Sequence, residues 1–212
     1  MSSEKENWFE IFKNKARVIY PSTDPAHDYL HVLRVVHMAK HLCDIEKACW
    51  EIVMPAAFFH DYIQVSKNDP RKPFVSQLSA QATIEYLEHL HYPSQYYEKI
   101  RHAIEAHSYS ANIQPQTLEA RIVQDADRLD ALGAIGIARC FATSSLMKVP
   151  FYAEEDPWAN ERELDDKNYG LDHFYKKLIH LVDHLNTETA RREGSQRLAF
   201  IKTYLEQIKR EI

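Results

Sequence analysis

Two His-Asp dipeptides stand in the chain, His27-Asp28 and His60-Asp61, and three aspartates cluster at Asp125, Asp127 and Asp130. Histidine is the usual metal ligand and proton carrier near neutral pH, and it occurs 12 times here. That abundance makes the dipeptide weak evidence by itself, so its surroundings decide. His60-Asp61 ends an apolar run, Ala56-Ala57-Phe58-Phe59. A charge-capable pair in that setting must be hydrogen-bonded, shifted in pKa or metal-bound, because burying bare polar groups costs several kcal/mol. Adjacent helical residues point about 100° apart, so both reach one ion only if it sits near the helix end, between their directions. The plainer alternative is a helix end that faces solvent.

His31 lies beside an apolar stripe, in register with Val35 and Met38, and Arg34 follows one turn later. Such a histidine is either packed and satisfied or a ligand. His27 and His31, and His37 and His41, form i, i+4 pairs of the kind that bind zinc, but no glutamate follows the first histidine, so the metalloprotease pattern is absent. His37 and His41 read as a solvated face. In QDADRLDALGAIGIAR, residues 124–139, Asp127 and Asp130 share a helix face. Asp127 falls between the apolar pairs around Val123 and Leu129, at the core boundary. Gly133 and Gly136 are half of the four glycines and read as interior to one helix. Each costs ~1 kcal/mol there relative to alanine, which points to a close helix–helix approach. A salt-bridged surface helix is the alternative.

Together His31, His60, Asp61 and Asp127 make a mixed nitrogen and oxygen set. Imidazole with carboxylate suits Mn, Fe, Co, Ni, Zn or Mg and disfavours soft thiophilic ions. Four protein ligands on a six-coordinate ion leave room for water and a phosphate oxygen. Such an ion lowers the pKa of its water and clamps the phosphate.

The elements that must position these residues are helical by period. Helices are predicted at ~5–19, ~26–43, ~46–63, ~77–90, ~94–107, ~117–143, ~170–186 and ~188–210. Asp24 is the expected N-cap of the second, with Pro25 at its first position. A polar, proline-broken loop spans 64–76, and 148–168 reads as a long loop of the kind used as a lid or a flexible segment. The expectation is one all-α domain over 1–212, with a core at about 24–145 and a long loop and C-terminal helices over 146–212.

Composition excludes several alternatives. Four glycines in 212 residues leave little for phosphate loops or tight hairpins, which argues against a Rossmann fold, a P-loop or a β-barrel. A net charge of −5 predicts no general nucleic-acid binding. Cys43, Cys49 and Cys140 form no C-x-x-C pair, which fits a reducing compartment. The N-terminus has no apolar signal core, and no apolar stretch approaches the length of a membrane span. The expectation is a cytoplasmic chain with no membrane partner.

The motifs in combination resemble the HD-domain metal-dependent phosphohydrolases, whose ligands run H…HD…D along a five-helix core. HVLRV begins at His31, AAFFHD carries His60 and Asp61, and Ala126-Asp127-Arg128-Leu129 matches the last aspartate. The resemblance is closest to the small bacterial YedJ/YpgQ-like branch, through IEAHS at 104–108, IVQDADRLDALGAIGIAR and LDDKNYGLDHFYKKL, and covers roughly residues 24–185.

The resemblance implies an HD-domain-like helical bundle with a C-terminal helical extension. It implies one divalent ion on His31, His60, Asp61 and Asp127, and hydrolysis of a nucleotide or other small phosphorylated substrate, with nucleoside triphosphate pyrophosphohydrolase the nearest activity. Gln64 stands where some members carry an acidic residue, so the ion's water or a second carboxylate such as Asp130 takes the role of base. His102 and His107 are candidates for the further histidines of bimetallic members, but one ion is expected. Asp61, Lys67 and Asp130 are the catalytic candidates; Arg34, Lys67, Arg71, His107 and Arg128 are the substrate-binding ones. Lys67, Arg71 and Lys72 place cations after the HD pair, where they neutralise phosphoryl charge or merely solvate a loop. Arg34 and Arg128 equally suit structural ion pairs, and Asp165, Asp166 and Lys167 are candidates for closing over substrate. A homodimer is compatible with these features. The competing reading is a metal-containing nucleotide-binding or regulatory module without turnover, and a third is a scaffold whose histidines pack structurally.

Overall fold

The computed structural model describes residues 3–20, 28–65, 69–108 and 111–212, and every regular element among them is helical. The chain forms two compact units, the first ending at Asp127 and the second spanning Arg128–Ile212. The first unit contains α1 (Ser3–Ile19), α2 (Tyr29–Glu46), α3 (Trp50–Phe59), α4 (Val75–His89), α5 (Tyr97–His107) and most of α6 (Leu118–Asp130).

The most apolar stretch of the sequence becomes the most buried helix. Only Glu51 of α3 escapes burial, and α1, α2, α4 and α5 all pack against it. Rings from α1 and the α4–α5 connection close over it: Phe12 lies 5.5 Å from Phe59, and Trp8 lies 4.8 Å from Tyr92, centroid to centroid. Burying each such ring contributes about 1.5–3 kcal/mol relative to exposure. Pro55 lacks the N–H that would bond the carbonyl of Glu51. The hydroxyl of Tyr92 donates to that carbonyl instead, at 2.8 Å, so the proline stays inside the helix.

Three expectations change. The cap of α2 is Asp28, whose carboxylate accepts from His31 N–H at 2.8 Å, which explains the first His-Asp dipeptide as helix chemistry. Asp24, Pro25 and His27 lie outside the described residues. The α3 helix is shorter than predicted because side chains take its last carbonyls: His60 Nδ1 lies 2.8 Å from Ala57 O, and Tyr20 Oη donates to Phe58 O at 2.9 Å.

The single helix expected at ~117–143 is two, α6 and α7 (Gly133–Leu146), broken at Ala131-Leu132. Gly133 has φ +70°, a left-handed conformation that favours glycine. A Cβ on Gly136 would stand 2.2 Å from the carbonyl oxygen of Ala131. At Gly136 the close approach is therefore to the backbone of the break itself, whereas at Gly133 it is to Arg197, whose side chain lies 3.3 Å from where a Cβ would stand, on the C-terminal helix.

In the second unit α7 packs with α8 (Gly170–Lys176) and α9 (Glu188–Ile208), and α8 continues as a 3-10 segment over Leu178–His184. The rings of Phe141, Phe174 and Tyr204 meet in its core. Residues 148–168 form no helix, as expected, but they are tied down. Asp156 accepts from the N–H groups of Asn160 and Glu161, and Arg162 pairs with buried Asp172 at 2.5 and 2.8 Å. Asp165 N–H also donates to Asp172, at 2.6 Å. No single helix among the described residues is long and apolar enough to cross a membrane.

Candidate metal centre

Four helices of the first unit aim histidine and aspartate at one place. His31 sits in the first turn of α2, where the Asp28 cap fixes its backbone. His60 is the C-cap of α3 and Asp61 follows it. His107 is the last residue of α5, and Asp127 lies in the last turn of α6.

The distances form a chain. His31 Nε2 lies 3.5 Å from Asp127 Oδ1, and His60 Nε2 lies 3.9 Å from the same oxygen. His60 Nε2 lies 3.6 Å from Asp61 Oδ2, and His107 Nε2 lies 3.4 Å from Asp61 Oδ1. The His60 ring stands between the other two, 5.5 Å from His31 and 5.0 Å from His107. The three imidazoles are buried, whereas the Asp61 and Asp127 side chains keep 24% and 29% exposure. The site is closed on its histidine side and opens to solvent at its carboxylates.

Local hydrogen bonds decide which nitrogen faces inward. His60 Nδ1 meets Ala57 O at 2.8 Å, and His107 Nδ1 meets Ile104 O at 2.6 Å. A carbonyl can only accept, so each Nδ1 carries a proton; the neutral His60 ring turns its Nε2 lone pair inward, while Nε2 of His107 donates to Asp61 when that ring is charged. The α3 and α5 C-termini also bring the negative ends of two helix dipoles to the cluster.

Burial pushes the His60 imidazole below its ordinary pKa, against the pull of Asp61. Burial opposes ionisation of Asp61, but the imidazoles of His60 and His107 outweigh it and hold the carboxyl well below the usual range. His107 moves the other way: burial disfavours its charge, yet the bond to Asp61 wins and raises it.

A cation fits this arrangement. His60 Nε2 is fully buried and makes no hydrogen bond among the described residues, while carboxylate oxygens surround it beyond bonding distance. Two overlapping triads, His31/His60/Asp127 and His60/Asp61/His107, have donor atoms within 4.8 Å of one another. The cluster thus brings together the four residues expected as ligands and adds His107, expected as a substrate contact or, with His102, as one of the further histidines of a second ion.

The other candidates stand elsewhere. His102 Nε2 accepts from the N–H of Gln116 at 2.9 Å. Arg34 is half-buried on α2, one turn after His31, and Gln64 is exposed. Arg71 is held by Asp69 through two contacts, at 2.7 and 3.0 Å. Lys67 lies outside the described residues. In the second unit Asp130 accepts from Arg139 at 2.7 Å, and Arg128 donates to the carbonyl of His184. Asp166 pairs with His173 and Lys176, and Asp165 accepts from Asn168 and the N–H of Lys167. Two buried residues beside the cluster show their contacts only in three dimensions: Tyr20, on the carbonyl of Phe58, and Gln124, the first residue of QDADRLDALGAIGIAR, on that of Ala106.

Comparison with known proteins places the centre in a lineage. The HD domain family model matches residues 28–132, a span that contains all five clustered side chains. YpgQ of Bacillus subtilis is 32% identical over 207 residues, 96% of this chain and 93% of its own length. Its crystal structure in complex with ADP has a TM-score of 0.76, with 30% identity over 96% of this chain and 97% of that one. An HD-superfamily hydrolase from Bacillus thuringiensis gives a TM-score of 0.75, with 30% identity over 98% and 97% of the two chains. With the H…HD…D side chains converging on one buried point and relatives matched end to end, the chain belongs to the HD-domain family and has the HD-superfamily hydrolase fold.

Proposed function

We propose that this chain is a metal-dependent phosphohydrolase acting on a nucleotide or similar small phosphorylated molecule, with water attacking phosphorus directly. The observation that carries the reading is the buried His60 Nε2, without a hydrogen bond and ringed by two carboxylates. His31, His60, Asp61 and Asp127 are the ligands in this reading. A divalent ion held by them supplies an acidified water and neutralises charge on a phosphate oxygen.

The chain's own groups do the rest. The Nδ1 contacts of His60 and His107 keep both Nε2 atoms turned inward. His107 orients Asp61 and stands at the open, carboxylate side, where it donates to a phosphate oxygen when charged. Arg34, one turn beyond His31, is the nearest arginine in sequence to a ligand in the first unit. Lys67 and Arg71 follow the HD pair and supply further positive charge for a polyphosphate, Arg71 by exchanging Asp69 for the substrate. Asp61 is the stronger catalytic candidate, because the Asp130 carboxylate already accepts from Arg139. No serine or cysteine stands in a recognisable nucleophile motif, which favours direct attack over a covalent intermediate. The ADP complex of YpgQ supports a nucleotide as the substrate class, and triphosphate pyrophosphohydrolase is the finer form of the proposal.

The test is a panel of nucleotides and simple phosphoesters with added Mn, Co, Ni or Mg, run in oxygen-18 water. One turnover should place the label in a phosphorus-containing product. Lys67→Ala should raise KM or lower kcat more for a triphosphate than for a small monoester. If the protein binds metal but cleaves none of the panel, the reading gives way to a metal-containing binding or regulatory module.

A further inference from the structure

We infer that Gln124 is a positioning residue for the metal cluster, acting through the end of α5 on His107 and through it on Asp61. This rests on the metal-centre reading above. The side chain of Gln124 is 4% exposed, and its Nε2 donates to the carbonyl of Ala106 at 2.6 Å. Ala106 immediately precedes His107, in the last turn of α5. The last carbonyls of a helix have no partner within it and must be satisfied from outside. In α5, His107 Nδ1 serves the carbonyl of Ile104, and Gln124 serves that of Ala106.

Gln124 is also three residues before Asp127 on α6, so the two side chains lie on the same face of that helix. One amide therefore ties the helix that carries His107 to the helix that carries Asp127. The bond fixes the axial position of the α5 terminus and the direction from which His107 Nε2 meets Asp61 Oδ1 at 3.4 Å. Partners of this outer kind typically cost 10–100-fold in metal affinity or activity when removed.

The test compares wild type with Gln124→Met, which keeps the length and loses the donor, and Gln124→Glu, which keeps the shape and presents only acceptors when ionised. The first readout needs no metal: the ring nitrogen resonances of His107 in the metal-free protein. They should move or broaden in both variants while those of His102, which contacts Gln116, stay in place. The second is Mn affinity by calorimetry. Gln124→Met should weaken it tenfold or more, and by less than twofold in a His107→Ala background, because both changes act on the same link. Unchanged His107 resonances, or an equal loss of Mn affinity in both backgrounds, overturns the inference and makes Gln124 a packing residue. A wild type that binds no Mn overturns the metal reading instead, and the His107 resonances still decide the role of Gln124.

Discussion

His107 Nε2 stands 3.4 Å from Asp61 Oδ1, across 46 residues of sequence and between the ends of two different helices. Asp61 in turn stands 3.6 Å from the imidazole of His60, its neighbour in the chain. Both contacts depend on helix ends. His60 is the C-cap of α3 and Asp61 lies just past it, so the pair stands at the helix end, where both side chains reach one point. The carboxylate thus links the HD pair to a histidine that no spacing rule assigns to it.

Asp61→Ala should remove a ligand and the partner of two imidazoles at once. We expect Mn affinity to fall at least about 100-fold, the upper end of what losses outside the ligand shell cost. Turnover on any active substrate should vanish, with the helical circular dichroism largely retained. A variant that turns over like wild type at limiting metal would place the centre elsewhere.

Metal binding should release protons near neutral pH. In the metal-free protein His107 holds its proton above the ordinary imidazole range because Asp61 accepts it, and burial keeps His60 neutral. A cation arriving beside Asp61 competes with the His107 proton, so Mn affinity should rise with pH through the His107 titration and level off above it. Calorimetry in two buffers of different ionisation enthalpy should show about one proton released per ion. The same shifts set the stability of the metal-free fold. The raised His107 contributes stability below its unfolded pKa, which is lost as pH rises through the folded one; the depressed Asp61 contributes stability that is lost as pH falls. A pH-independent Mn affinity between about 6 and 8, the range in which histidine titrates, would contradict this account.

The two glycines of the break should differ in cost. Gly133→Ala places a side chain at φ +70° and about 3.3 Å from the Arg197 side chain, which can shift. The expected loss is about 1–2 kcal/mol, the cost of a left-handed conformation. Gly136→Ala sets a Cβ 2.2 Å from a backbone oxygen that cannot yield without opening the turn. Its melting temperature should fall further than that of Gly133→Ala; the reverse order would mean the turn relaxes freely.

The clustering of His31, His60, Asp61 and Asp127 was legible in the sequence because each sits in a local signal: His31 on an apolar stripe, His60-Asp61 at the end of an apolar run, Asp127 between apolar pairs. What the sequence hid is what acts at a distance. His107 reaches Asp61 only because α5 ends where it does, and nothing in IEAHS states where that end lies in space. Gln124 and Tyr20 bond carbonyls of other elements, and a hydrogen bond to a backbone group leaves no pattern in residue types. The break at Ala131-Leu132 was masked because apolar residues continue at helical spacing across it, so the glycines that mark the turn read as interior. Asp24 and Asp28 are equally good caps by type, and only the bond to His31 N–H distinguishes the one used.

The loop at 148–168 should melt as part of its unit rather than move as a free flap, and Arg162 tests this. Its guanidinium pairs with Asp172, a carboxylate that is 1% exposed and also accepts from Asp165 N–H. Arg162→Ala strands that carboxylate in a buried place. Removing one partner of a buried pair costs about 3–5 kcal/mol, and the 23% exposure of Arg162 puts the effect at the lower end. The melting temperature should drop by about 2–4 °C per kcal/mol in a chain of this size. Adding Asp172→Asn removes the stranded charge yet keeps an oxygen for Asp165 N–H, so the double variant should recover part of the loss. If Arg162→Ala melts like wild type, the loop is a loose cover; if the double variant is the less stable of the two, the damage comes from lost packing of the arginine over Tyr169 and not from the unpaired carboxylate.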